Sequence, residues 1–289
     1  MIRIFISFVF LVFILAFAAC EFEPASGHNN GGEIQEFENA EQLTSDRSDI
    51  KPRWSPTGHK VVFERRGFIY YIEMISGGIF IMAEGTNPCW SPNGAYIAFL
   101  RDGDLYTLHD IPERPIRRLT IGANASRISG IDWGGQNNIL YFTQADSSNP
   151  QQLLYCYHMS TGENEYINTP DVGTCIGPIW SPDAKKILFT SKSIGICWLD
   201  YETQTLYRVV EYGSIGKASW YWHLDDLYII YSENGLIVQT NLQGSERETV
   251  YGNSFFPGSM HYNSGKRQIT FDYSGIWVMD WPPKNYGTN

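Results

Sequence analysis

An all-β ring of six four-stranded blades is the fold predicted by three features of this 289-residue chain. The first is a unit that recurs six times, in which an aromatic residue is followed nine positions later by a second aromatic closing a short apolar run. The second is the spacing between copies, 36, 43, 47, 42 and 40 residues, a period that belongs to stacked or radially arranged units and not to one continuous sheet. The third is local texture: short runs of alternating polarity lie between Gly- and Pro-bearing turns, and helix-period segments are scarce.

The copies read WSPTGHKVVF from Trp54, WSPNGAYIAF from Trp90, WGGQNNILYF from Trp133, WSPDAKKILF from Trp180, WHLDDLYIIY from Trp222 and YNSGKRQITF from Tyr262. The residues up to each leading aromatic form a first strand. Pro56 to Gly58 and Pro92 to Gly94 are turn chemistry that reverses the chain. A second strand follows, with Val61, Ile97, Leu140, Ile187, Ile229 and Ile269 at the seventh position and Phe63, Phe99, Phe142, Phe189, Tyr231 or Phe271 at its end. Third strands are Ile69 to Ile72, Leu105 to Leu108, Leu154 to Tyr157, Ile196 to Leu199, Leu236 to Gln239 and Ile276 to Met279. Turns such as Gly77-Gly78 and Thr161-Gly162 lead to fourth strands, for example Ile79 to Met82 and Leu206 to Val210. Four strands per period make one propeller blade.

The sixth copy lacks a fourth strand of its own, because two consecutive prolines follow Met279 within the last ten residues. The segment Ile34 to Thr44 reads as a strand without a blade. It is expected to complete the sixth blade and close the ring, which removes exposed sheet edges.

The phrase Pro-x-Trp-Ser-Pro-x-Gly before an Ile-x-Phe strand, at Pro52 to Gly58 and Pro88 to Gly94, resembles the WD-like repeat of the TolB-like propeller family. The resemblance covers residues 34 to 281. Trp-Ser-Pro is intact in copies one, two and four, is replaced by Trp133-Gly134-Gly135 in copy three, and is matched only by position in copies five and six. Membership would imply six blades. It would leave activity open, since such domains serve as binding platforms, peptidase gating domains and glycan-processing enzymes.

Arg3 precedes an apolar run of at most 16 residues that ends at Ala18-Ala19-Cys20, too short to span a bilayer as a helix. The small residues before Cys20 resemble a lipobox, although Phe17 stands where an aliphatic residue is usual. The expectation is a lipoprotein signal peptide over 1–19 with Cys20 lipidated, a flexible tether over 20–33, the propeller over 34–281 and a tail over 282–289. The exported protein would then be a monomer held to the membrane and facing the periplasm or the cell surface. It would keep 20 of the 21 basic residues against all 31 acidic ones, a formal charge of −11, which argues against a nucleic-acid partner. Cys89, Cys156, Cys175 and Cys197 show no Cys-x-x-Cys and no zinc-type pairing with histidine, so no metal or other cofactor is expected.

The leading aromatics Trp54, Trp90, Trp133, Trp180, Trp222 and Tyr262 are read as blade core, with Trp220 competing with Trp222 for that place in copy five. Candidate binding residues come from loops that converge on one channel mouth, namely the segments leading into first strands and the hairpins joining second to third strands. They are Arg65, Arg66, Arg101 and Arg127 with Trp220, Tyr221, Phe255 and Phe256, residue types suited to an acidic peptide, a protein loop or a sugar. Asp102-Gly103-Asp104 is explained by hairpin geometry without calcium. No Gly-x-Ser-x-Gly elbow or phosphate loop occurs, and no catalytic residue is assigned. The reading is a non-catalytic platform for an envelope protein or peptide. The alternatives are a glycan-acting propeller enzyme, with a channel metal near His223 and His261, and a sugar or small-ligand binder without turnover.

Overall fold

The computed structural model describes residues 40–111, 113–120, 128–143, 152–170, 172–211, 213, 215–223, 226–252 and 257–282. The proposed signal peptide, Cys20 and the tether lie outside them, as do Arg127, Phe255 and Phe256. The described residues form six four-stranded antiparallel sheets arranged as propeller blades.

After β1 (Ala40–Gln42), blade one is β2 (Asp49–Trp54), β3 (Lys60–Arg65), β4 (Phe68–Glu73) and β5 (Ile79–Glu84). Blade two is β6 (Thr86–Trp90), β7 (Tyr96–Arg101), β8 (Asp104–His109) and β9 (Ile116–Arg118). Blade three is β10 (Ile128–Gly134), β11 (Asn138–Thr143), β12 (Leu154–His158) and β13 (Asn164–Ile167). Blade four is β14 (Cys175–Trp180), β15 (Lys186–Ser191), β16 (Gly195–Asp200) and β17 (Leu206–Val210). Blade five is β18 (Ile215–His223), β19 (Asp226–Glu233), β20 (Leu236–Thr240) and β21 (Arg247–Gly252), and blade six is β22 (Met260–Asn263), β23 (Gln268–Asp272) and β24 (Ile276–Asp280).

The missing strand of blade six is β1, which pairs with β24 through Ala40↔Met279, Glu41↔Val278 and Gln42↔Trp277. Thr44 extends the clasp, its Oγ1 accepting the Ile276 N–H at 2.9 Å. The ring therefore closes as expected from the orphan strand, through Ala40–Gln42 among the described residues.

The core is divided into one hydrophobic cluster per blade interface, and the leading aromatic of every copy but the fifth packs on the blade before its own. Trp180, for instance, meets Leu140, Phe142 and Cys156 of blade three, and Tyr262 packs against the cluster shared with blade five. The aromatics closing the second strands are at most 1% exposed.

The Ser-Pro-x-Gly turns also have a local cause. Ser55, Ser91 and Ser181 are buried, and each Oγ accepts the backbone N–H of Lys60, Tyr96 or Lys186 at 2.8–3.0 Å, satisfying a donor at the start of the second strand. In copy three a Cβ on Gly135, whose φ is +43°, would lie 2.4 Å from the Trp180 ring, so glycine is needed where the next blade's tryptophan approaches.

Two registers differ from expectation. The turn at Gly135 to Asn137 is short, so Trp133 pairs with Ile139 and not with Leu140. In copy five the core aromatic is Trp220 and not Trp222: Trp220 pairs with Ile229, is 4% exposed and packs on blade four, whereas Trp222 pairs with Leu227 and is only half-buried. The reason is that β18 and β19 stay paired as far as His223↔Asp226, three ladder positions beyond Trp220, whereas the ladders of the other blades end at the leading aromatic or one position after it.

Candidate functional site

The first strands β2, β6, β10, β14, β18 and β22 touch one another around the ring and so line its centre. In the first five blades these strands share a second feature, an irregularity of register two to four residues before the core aromatic. At the third position before that aromatic stand Lys51, Asn87, Gly130, Gly177, Lys217 and Ser259. The first four have φ between 52° and 75°, in the left-handed region, and all of them line the channel.

Polar side chains from the second strands clasp these bulges across blade interfaces. Asp272 of blade six accepts the Lys51 N–H at 2.9 Å and also the Ser259 N–H. Glu64 of blade one accepts the Asn87 N–H at 3.0 Å and an ion pair from Lys51 Nζ at 2.9 Å. Thr190 Oγ1 donates to Gly216 O, and Ser232 Oγ to Pro257 O, each at 3.4 Å. Glu64, Thr190, Ser232 and Asp272 all directly follow the aromatic that closes the second strand, a positional signal the sequence analysis overlooked.

One mouth opens into a cavity of about 550 Å³. Its wall includes Lys51, Gly67, Glu84, Arg101, Asp102, Gly130, Gly177 and Lys217, so lead-in segments and second-to-third-strand hairpins do share this mouth. Below it the channel narrows to a space of about 20 Å³, lined by Lys51, Arg53, Lys217, Asn87, Ser259 and the bulge backbones. Three cations and no carboxylate line that waist, with Glu64 paired to Lys51 and the charges of Asp272 and Glu64 reaching Lys217 from outside the lining. Burial and the like charges of Lys51 and Arg53 push the Lys217 ammonium down to about 8, and its Nζ donates to Ser259 Oγ at 3.3 Å.

The opposite mouth, also about 550 Å³, is framed by the repeat itself: Trp54-Ser55-Pro56, Trp90-Ser91-Pro92, Trp133 to Asn137, Trp180-Ser181-Pro182 and Tyr262 to Ser264. Arg53, Cys89, Asp132, Ile179 and His261 line its depth. Asp132 accepts the Trp180 N–H at 2.9 Å, and its carboxyl is raised by burial, with Arg53 opposing. His261 Nδ1 accepts the Trp54 N–H at 3.2 Å, and burial with Arg53 close by pushes the imidazole down to about 3, so it is neutral at physiological pH. The side chain of His223 lies outside the described residues.

Among the described residues, the predicted binding set does not gather as one face. Arg101 does line the first mouth, its guanidinium over Phe99 and Tyr106 and donating twice to Glu84 O. Arg65 is spent on the fold: it forks onto both oxygens of buried Asp49 at 2.6 and 2.9 Å. Arg66 is exposed and pairs with Asp46 at 3.1 Å. Trp220 and Tyr221 are 4% and 2% exposed and cannot meet a partner. As neighbours on a strand they point to opposite faces, Trp220 onto blade four with its Nε1 donating to Ile179 O, and Tyr221 onto blade six.

No family model matches the chain, and no curated protein matches it. Solved structures do. TolB from Acinetobacter baumannii superposes with a TM-score of 0.59 at 15% identity, over 71% of this chain and 55% of that one, so this chain spans about half its length. An auxiliary nutrient binding protein from Bacteroides thetaiotaomicron gives 0.63 at 12% identity, over 81% and 69%. An oligogalacturonate lyase from Vibrio parahaemolyticus gives 0.54 at 11% identity, over 86% and 94%. At these identities the likeness speaks of fold: this chain is a six-bladed β-propeller distantly similar to TolB and to other propellers of differing activity.

Proposed function

We propose that the ring is a non-catalytic binding platform that receives an acidic segment of an envelope protein at the mouth above Lys51 and Lys217. The observation that carries this reading is the channel waist, where Lys51, Arg53 and Lys217 converge with no carboxylate in the lining, inside a protein of net charge −10. A carboxylate entering from the 550 Å³ mouth would meet Lys217 and Arg53, and would share Lys51 with Glu64, in a confined space where charge pairing is stronger than on an open surface. Arg101 at the rim and the glycines of the lead-in segments leave room for a backbone to approach.

The apolar run followed by Ala18-Ala19-Cys20 supports a signal peptide over 1–19 and a protein lipid-anchored through Cys20, facing the periplasm or cell surface, and tethering would raise the effective concentration of a partner on the same membrane. A glycan enzyme with a metal at His261 is less well supported, because its Nδ1 is already engaged by the Trp54 N–H and Arg53 would repel a cation there.

The test is fluorescence anisotropy of a labelled oligoglutamate peptide, with its oligoglutamine counterpart as control. Saturable binding of the acidic peptide alone, weakened by salt and lost in the Lys51→Met/Lys217→Met double variant, is expected. Equal binding of both peptides, or none of either, would sink the reading.

A further inference from the structure

Away from the channel, at the interface between blades three and four, chemistry-bearing side chains converge that no spacing in the sequence announces. Cys156 and His158 are two residues apart on β12 and therefore point to one face of the sheet. Glu165 on β13 is the direct cross-strand partner of Cys156 and joins them on that face. The thiol sulfur, an imidazole nitrogen and a carboxylate oxygen all lie within 4.8 Å of one another, and this is the group of three potential metal ligands found among the described residues. His158 Nε2 and Glu165 Oε2 are 2.9 Å apart. Tyr201 reaches over from blade four, its hydroxyl donating to Glu165 Oε2 at 2.8 Å and lying 3.9 Å from Cys156 Sγ. Its ring is held edge-on by Trp180, with centroids 4.9 Å apart, so the repeat tryptophan of blade four orients it.

We propose that Cys156, His158 and Glu165 form a binding site for a borderline-soft divalent cation of the zinc class, with Tyr201 orienting the carboxylate and a water completing the tetrahedron. Sulfur, imidazole and carboxylate together suit zinc or cobalt, whereas magnesium and calcium prefer oxygen alone. Around tetrahedral zinc, such ligand atoms stand roughly 3.3–3.6 Å apart, a spacing these side chains reach by small rotations. Access comes from one side: Cys156 is buried, while the side chains of His158 and Glu165 are 27% and 41% exposed. A tyrosine hydroxyl bonded to a carboxylate is the kind of outer partner that fixes a metal ligand. A thiol must lose its proton to ligate, so binding releases a proton to solvent and strengthens as pH rises. The site is independent of the channel and of what the channel binds.

The experiment is titration of the chelator-treated full chain with Co²⁺, read as thiolate-to-cobalt charge-transfer absorption in the near ultraviolet, followed by displacement with Zn²⁺. One equivalent of cobalt, release of a proton per metal and loss of the band on adding zinc are expected. His158→Gln, at a half-exposed position that tolerates the change, should weaken binding by roughly tenfold or more, and Tyr201→Phe by about tenfold. Cys156→Ser should abolish the band, and Cys197→Ala, a buried thiol in the same cluster, should leave it intact. No charge-transfer band, or a band that survives both Cys156→Ser and His158→Gln, would overturn the site.

Discussion

The two ends of the channel are built from the same six strands and yet differ in kind. At one end every framing blade brings its repeat, with Trp-Ser-Pro in three of them and Gly-Gly or Tyr-Asn in two others, and the side chains are used to pack blades and satisfy turn donors. At the other end the equivalent positions are Lys51, Asn87, Gly130, Gly177, Lys217 and Ser259, six residues of four types. Where copies agree, the cause is geometry common to all blades. Where they diverge at one structural level, the fold tolerates variety and chemistry specific to this protein can reside. Comparing the repeats thus separates framework from candidate site within a single chain.

Substitutions can break or sharpen that contrast. The largest effect belongs to the framework end. Trp180→Ala and Trp220→Ala should each cost roughly 3–5 kcal/mol in denaturant unfolding. Trp222→Ala should cost less than half as much, and equal losses for Trp220 and Trp222 would contradict the register found in blade five. Next comes Ser181→Ala, which strands the Lys186 N–H and should cost about 1–3 kcal/mol without touching peptide binding.

The third prediction concerns acid. The folded imidazole of His261 is held at about 3, below its ordinary value of 6.5, so the unfolded chain takes up a proton that the folded one refuses. Stability from this group is complete above about pH 6.5 and falls as pH drops toward 3. His261→Gln should flatten that part of the thermal stability profile, and an unchanged acid slope would remove His261 as its cause. The smallest effect is expected at the variable mouth. Lys217 is held near 8, below its usual 10.5, so the folded state carries an unfavourable charge that is fully present below pH 8 and gone above 10.5. Lys217→Met should therefore be neutral to stabilising at neutral pH, on the order of 1 kcal/mol, while weakening the acidic peptide. A large loss of stability would make Lys217 part of the framework after all.

Much of the framework was legible because it depends on local pattern. The period counted the blades, alternation marked the strands, and the orphan strand before the first copy foretold closure through Ala40 to Gln42. The site was less legible. Arg65 and Arg101 were conspicuous as charges in hairpins, but the aromatic pair of each blade and nearby backbone or carboxylate acceptors hold them, and only Arg101 lines the mouth. Trp220 and Tyr221 looked like an exposed aromatic patch because the core aromatic of their strand stands two positions earlier than the repeat suggested.

From sequence alone came the all-β class, the six units, the strand order within each and the residues that must be core, since these follow from periodicity and turn chemistry acting over a few residues. The tertiary structure alone decided which side chains meet. Lys51 and Lys217 come together from blades one and five, and Cys156, Glu165 and Tyr201 from adjacent strands and blades. Such meetings depend on ring closure and on register across strands, where a shift of one residue turns a side chain to the opposite face, and no spacing along the chain encodes them.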